Sequence, residues 1–400
     1  MTQVISTNSI KQGKAPQFAW VRVISCFAII TLHTLYASSL ALKPADGVSI
    51  SFAAEAWQNN LMWAVPCFLM TTGALLLNPD KTIGLKKIYS KYIKRIVLTL
   101  LFFTFVFATL EPIMAGKKFS LASVAGNWIR NVITDGSWAH MWYLYLLIGI
   151  YVMLPVYRAV ISYCTDAQIK YLCSVLIFFI SVLPMTELFG IKTGFYLCTT
   201  LIYPVYPLLG YAIYNKKINI SKLNALILLI GCTVSIVVLT NFGRNYADLC
   251  FDQNSLILFN EFFGYASIFV IGQGVGIYSF ICSLNCARCA RKEEKLAEEL
   301  QDWTEAKHAT KEDFWGPGDK KKKNAIPNKR LFDIDKCTFG IYLIHMILLK
   351  YVLLCKGFNP LSFTGVKMVG SVLLMSICFF VISLYITKAL RKIPGIRSFL

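Results

Sequence analysis

The sequence predicts an all-α, polytopic membrane protein of about ten transmembrane helices, N-in and C-in, with one inserted cytoplasmic loop. Three observations predict it. Apolar residues fill 56% of the 400 positions and charged residues only 15%, at a mean hydropathy of +0.58. Apolar runs near the ~20 residues that a spanning helix needs recur along the whole length. Basic residues alternate between connecting segments, dense in one set and sparse in the other.

Residues 1–17 are polar and read as a cytoplasmic tail. No cleavable signal peptide is visible, because the first apolar run is long enough to span and carries Arg22 inside it. Spans are predicted at roughly 18–40, 57–77, 95–114, 141–160, 169–187, 197–214, 223–240, 257–284, 338–355 and 365–390. With the N-terminus inside, the inner segments hold Lys11/Lys14, Lys81 to Arg95, Arg158/Lys170, Lys216/Lys217/Lys222, the Arg288–Lys336 stretch and Lys388 to Arg397. The outer loops carry only Lys43, Lys117/Lys118/Arg130, Lys192, Arg244 and Lys356. The net charge of +19 is therefore topological, and no nucleic-acid partner is expected.

The remaining segments follow in order. Loops 41–56 and 241–256 are outside, and loop 115–140, with Trp128, Trp138 and His140, is expected to fold back over the outer mouth. The transmembrane bundle thus divides into 18–284 and 337–400, the latter including a cytoplasmic C-terminal tail, around a basic cytoplasmic loop at 285–336. That loop opens Lys292-Glu-Glu-Lys-Leu-Ala-Glu-Glu-Leu300, with helical charge pairs, breaks at Trp315-Gly-Pro-Gly-Asp319, and runs into Lys320 to Lys323. A solvated segment against anionic lipid is the plain reading. Thirteen cysteines are mostly scattered singly within spans, as core residues are. Cys286-Ala-Arg-Cys289 is a lone pair without a second pair or a nearby His, so no metal site is expected. Gly272, Gly274 and Gly276 lie inside an apolar run with no strand before them, which favours close helix packing over a nucleotide loop.

The chemistry concentrates on Arg22 and His33, two ionisable residues inside one apolar span, which mark a functional site by their cost. They lie about 16 Å apart along the axis, and 11 × 100° leaves only about 20° of rotation between them. Both therefore share one helix face. With the N-terminus inside, Arg22 sits near the inner surface, suited to bidentate phosphate binding, and His33 sits in the outer half as a candidate general base. Taken singly, an Arg that snorkels and a hydrogen-bonded structural His are the ordinary alternatives. His140 opens the fourth span in Trp138-Ala-His140-Met-Trp142-Tyr143, which also fits an interfacial aromatic belt. His345 lies about two turns into the ninth span and needs a partner, with Tyr342 one turn before it. Glu111, Glu187 and Glu261 fall at outer helix ends, and His308 in the inner loop has no motif. No soluble catalytic fingerprint appears in a credible context.

Five stretches, in order, resemble the acyltransferase-3 family of integral membrane acyltransferases. Arg22 and His33 match its Arg-x10-His signature. Val65-Pro-Cys-Phe-Leu-Met-Thr-Thr-Gly73-Ala-Leu-Leu-Leu77 is similar to its second-helix motif, and Lys91-Tyr-Ile-Lys-Arg95-Ile to its basic motif. His140-Met-Trp142-Tyr143-Leu144 and Phe339-Gly-Ile-Tyr342-Leu-Ile-His345 resemble its later motifs. Lys91 stands where members often carry a second Arg, and 285–336 looks like an insertion.

The resemblance implies a stand-alone O-acyltransferase of the bacterial inner membrane. It implies transfer of an acyl group, usually acetyl, from cytoplasmic acetyl-CoA or another acyl-CoA to a hydroxyl of a surface glycan or lipid-linked glycan. His33 and Arg22 would be catalytic, Arg22 and Arg95 would bind the donor, and His140, Trp142, Tyr342 and His345 would lie on the acceptor side or in support. Acyl-CoA is a co-substrate here, and no bound cofactor is expected. The competing function is a transporter or lipid-linked-glycan flippase with Arg22 and His33 in its substrate path. A non-catalytic sensor working through 285–336 is a third.

Overall fold

The computed structural model describes residues 16–42, 50–79, 81, 83–118, 120–189, 191, 194, 197–249, 263–284, 329–398 and 400. Among these residues every regular element is helical. The early helices are α1 (Pro16–Leu40), α2 (Phe52–Asn59), α3 (Ala64–Leu76), α4 (Leu85–Met114) and α5 (Leu121–Thr134). The middle ones are α6 (Ala139–Val152), α7 (Leu154–Tyr163), α8 (Asp166–Thr186), α9 (Ile202–Tyr214), α10 (Lys222–Leu249) and α11 (Ile268–Leu284). The chain closes with α12 (Lys329–Asp335), α13 (Thr338–Cys355) and α14 (Gly365–Leu390).

Each of the ten predicted spans contains a helix. Among the described residues six helices are long and apolar enough to cross a membrane alone, and α6–α7, a pair bent by 46°, passes the same test only when taken together. Pro155 starts α7 without an amide to continue the ladder, which accounts for the bend. The remaining three, α3, α9 and α11, have only 13, 13 and 17 residues. Two boundaries differ from expectation. The predicted 57–77 span breaks at 60–63 into α2 and α3, and α4 begins at Leu85, so the basic cluster is already helical. That cluster falls on a π-helical stretch, Ile88–Ile93, the wider turn often found at functional sites.

α1 is the most enclosed of the long helices, packed by α2, α3, α12, α13 and α14. By contrast α8 and α10 leave most of their apolar surface exposed, as lipid-facing helices do. α10 is fastened by polar contacts instead: Gln273 donates to Asn60 (2.8 Å) and Thr233 (2.9 Å), Asn59 to Thr240 (3.1 Å), and Arg244 pairs with Glu55 (2.9 Å). In the 115–140 segment, Leu121–Thr134 is helical. This helix, α5, lies back along the flank of α4, with Trp128 Nε1 donating to the Leu101 carbonyl at 3.0 Å. The predicted 285–336 loop lies outside the described residues as far as 328, together with Cys286, Cys289 and His308. Its last part forms α12, packed on α1. Glu261 also lies outside the described residues.

The tightest seam joins α3 to α9. Gly73 meets the Pro207 carbonyl and Gly210 meets the Met70 carbonyl, so each helix offers a glycine to the other's backbone. A β-carbon at either place would enter main-chain atoms, which cannot swing aside. The Gly73 of the second-helix motif is thus a packing residue. Where α3 ends, Arg158 of α7 takes over the free carbonyls: its guanidinium donates to Leu76 (2.8 Å), Asn78 (3.0 Å), Pro79 and Lys81.

Gly73→Ala and Gly210→Ala should each cost about 1–3 kcal/mol through overpacking. Gly126→Ala, where a β-carbon meets open space, should not lower stability. Thermal midpoints in detergent test the contrast.

Candidate functional site

α1 and α13 run parallel, and three contacts fix their register. The Arg22 guanidinium grips Asp335 at the end of α12, Nε to Oδ1 and Nη2 to Oδ2, both at 2.6 Å. Cys26 Sγ lies 3.5 Å from the Thr338 carbonyl. His33 Nδ1 lies 2.8 Å from His345 Nε2. The one-face geometry expected of Arg22 and His33 holds, because both reach the same neighbouring segment.

Asp335 escaped the sequence reading. The signal was an acid just before the ninth span, ten positions ahead of His345, as Arg22 stands eleven ahead of His33. Its presence gives Arg22 a partner that the sequence did not name. The fork of Arg22 predicted to bind phosphate is engaged by an internal carboxylate, at side-chain exposures of 22% and 10%. A guanidinium at this depth is stabilised by a fixed anion, and Asp335 provides it.

Three of the four histidines converge. Besides the His33–His345 contact, the His140 ring lies 6.3 Å from His33 and 5.8 Å from His345, centroid to centroid. His345 is fully buried and His140 is 1% exposed. His140 is therefore enclosed by protein and does not face lipid or water. Trp138 stacks on Phe107 at 4.2 Å and Phe107 lies 5.3 Å from His140, an aromatic row that carries the segment inward. Both His140 ring nitrogens are sealed from solvent without a formed hydrogen bond, although the Leu343 backbone lies close to the ring. The Tyr342 hydroxyl donates to the His140 carbonyl. Among the described residues no group of three His, Cys, Asp or Glu side chains is arranged to hold a metal ion. The direct nitrogen–nitrogen contact leaves no space for one between His33 and His345.

Next to this cluster lies a cavity of about 390 Å³ between α1, α3, α4, α6 and α13. One end carries Arg22, Arg95, Asp335 and Lys336; the walls include Phe68, Leu75 and Leu147; Tyr143 and Tyr342 also line it. Tyr342 thus belongs to both cavity and histidine cluster, its ring 6.4 Å from that of His33. Arg95 donates to the Leu400 carbonyl oxygen at 3.0 Å and stands 5.4 Å from the Phe339 ring. Lys91 is exposed and does not line the cavity.

The structure therefore brings Arg22, Arg95 and Tyr342 to one cavity, and His33, His140 and His345 to one cluster beside it. Trp142 joins neither. It packs among Tyr143, Tyr203 and Tyr265 at 5.5–6.1 Å. Lys350 of α13 is a further residue that the sequence reading passed over, its ammonium 4.1 Å above the Trp138 ring. Glu111 is exposed at the end of α4, in keeping with the solvated position expected for it.

The acyltransferase-3 family model, described as an acyltransferase domain, matches residues 16–388. No curated protein and no solved structure matches the chain.

Arg22 and Asp335 should be energetically coupled. A double-mutant cycle with Arg22→Gln and Asp335→Asn, read from unfolding in detergent, should give about 1–2 kcal/mol, below a fully buried pair because both groups keep some solvent contact.

Proposed function

The chain belongs to the acyltransferase-3 family of membrane acyltransferases, and from that premise we propose that it moves an acyl group from a cytoplasmic acyl-CoA to a hydroxyl on a surface glycan or lipid-linked glycan. Acetyl is the proposed acyl group, and the inner membrane of a bacterial cell the proposed location. The observation that carries this reading is the sequence of environments along one cavity: charged groups including Arg95 and Lys336 at one end, apolar walls, then Tyr342, whose ring lies 6.4 Å from that of His33 in the cluster beside it. A thioester donor has the same order, with phosphates at one end and a reactive acyl group at the other.

In this reading the donor enters from the end that carries Arg22, Arg95 and Lys336. Arg95 and Lys336 meet the phosphates, while Arg22, its charge balanced by Asp335, lines the same mouth. The arm bearing the thioester lies along Phe68, Leu75 and Leu147. His33 takes the proton from the acceptor hydroxyl, the oxygen bonds to the acyl carbon, the carbon–sulfur bond breaks, and the thiolate recovers the proton. Tyr342 and His140 line the acceptor's approach, and Trp142 braces them through Tyr143. The proposed topology has ten crossings with both ends inside. Parallel α1 and α13 agree with it, since the first and ninth spans must run in the same direction.

Incubating the purified protein in lipid with acetyl-CoA labelled in its acetyl group and a glycan acceptor tests this directly. His33→Ala should lower transfer by about 10²-fold or more, with unchanged elution and thermal midpoint. Glycan flux in vesicles free of any acyl donor, with no labelled product under any condition, would instead select the transporter reading.

A further inference from the structure

The tautomers of His33 and His345 follow from one backbone carbonyl. His345 Nδ1 lies 3.2 Å from the Ile341 carbonyl oxygen, one turn back along α13. A carbonyl only accepts, so Nδ1 carries the proton, and in a neutral imidazole Nε2 is then bare. That bare Nε2 faces His33 Nδ1 at 2.8 Å. The proton between the rings therefore belongs to His33 Nδ1, which leaves His33 Nε2 as the free lone pair. The two ring planes differ by only 4° with centroids 5.1 Å apart. At so short a nitrogen–nitrogen distance, this separation means that the rings lie edge to edge in one plane, which makes the hydrogen bond nearly straight.

We propose that His345 is a positioning residue for the acyl transfer: it holds His33 in the tautomer whose Nε2 accepts the hydroxyl proton. The proposal rests on the transfer reading above. When the acceptor O–H bond breaks, its proton goes to His33 Nε2 and the oxygen bonds to the acyl carbon. The carbon–sulfur bond breaks and the thiolate takes the proton back. While His33 is cationic, its Nδ1–H stays donated to His345 Nε2, and the Nδ1–H of His345 stays donated to the Ile341 carbonyl. Charge is thus spread along two rings onto a main-chain dipole without leaving a polar group unpaired. A carboxylate in place of His345 would do the same work only with a permanent charge buried in a membrane helix, which two neutral rings avoid. His140, whose nitrogens make no formed hydrogen bond, is outside this relay.

Nitrogen-15 spectra of histidine-labelled protein in lipid nanodiscs test the tautomer without any substrate. The expected result is one imidazole protonated at Nδ1 and coupled across the hydrogen bond to the Nε2 of another. That coupling should vanish in His345→Phe and in His33→Phe. In the transfer assay, His345→Phe should lower kcat about 10- to 100-fold with the acyl-CoA KM within about twofold. His345→Gln, whose side-chain carbonyl can accept the Nδ1 proton, should recover part of that loss. A wild-type His33 protonated at Nε2, or a His345→Gln variant no faster than His345→Phe, overturns the role of His345 while acyl transfer stands. The coupling without transfer from any acyl-CoA by the wild-type protein overturns the transfer reading and this role with it.

Discussion

A guanidinium and an imidazole on one apolar helix must each find a partner before that helix is stable in a bilayer, and here both partners come from one segment. Asp335 neutralises Arg22 and His345 meets His33. Two polar contacts along one line set both the register and the direction of α1 against α13. The helices around them follow from that choice. α3 and α14 close over the remaining faces of α1, and the cavity is the space left where the Arg22 end opens between α1, α3, α4, α6 and α13.

The parts of this arrangement that could be read in advance were those with a strict period. Spans announce themselves by apolar length, and ten of ten predicted segments contain a helix. Arg22 and His33 share a face because eleven residues nearly complete three turns. Gly73, Arg95, Tyr342 and His345 stood within motifs, and each takes a specific place in the seam, the cavity or the cluster. What periodicity cannot supply is the partner. Asp335 is separated from Arg22 by 313 positions, and its spacing ahead of His345 gains meaning only once α1 and α13 are known to lie side by side.

The misreadings share a physical cause. His140 among tryptophans looks like a membrane-interface belt, because composition alone does not say which side of an aromatic row faces lipid. Trp138 stacking on Phe107 turns that row inward and places His140 beside the other two rings. Loop 115–140 was read from its length and its Trp128, Trp138 and His140, which do not reveal that α5 lays Trp128 along α4, where the indole donates to a carbonyl. The apparent single span at 57–77 hid a turn at 60–63, where Asn59 and Asn60 serve side-chain contacts to α10 and α11.

The reciprocal glycines between α3 and α9 have a dynamic consequence. Two backbones in direct contact cannot slide without colliding, so these helices move as a single strut. α3 supplies Phe68, Thr72, Leu75 and Leu76 to the cavity, and this side is consequently a fixed wall. The rest of the lining includes α4, with its wide π-helical turn beside Tyr92 and Arg95, and α13, held to α1 through Asp335 and His345. A wall that cannot yield, beside an α13 already tied to α1, leaves α4 as the side from which extra room in this cavity must come.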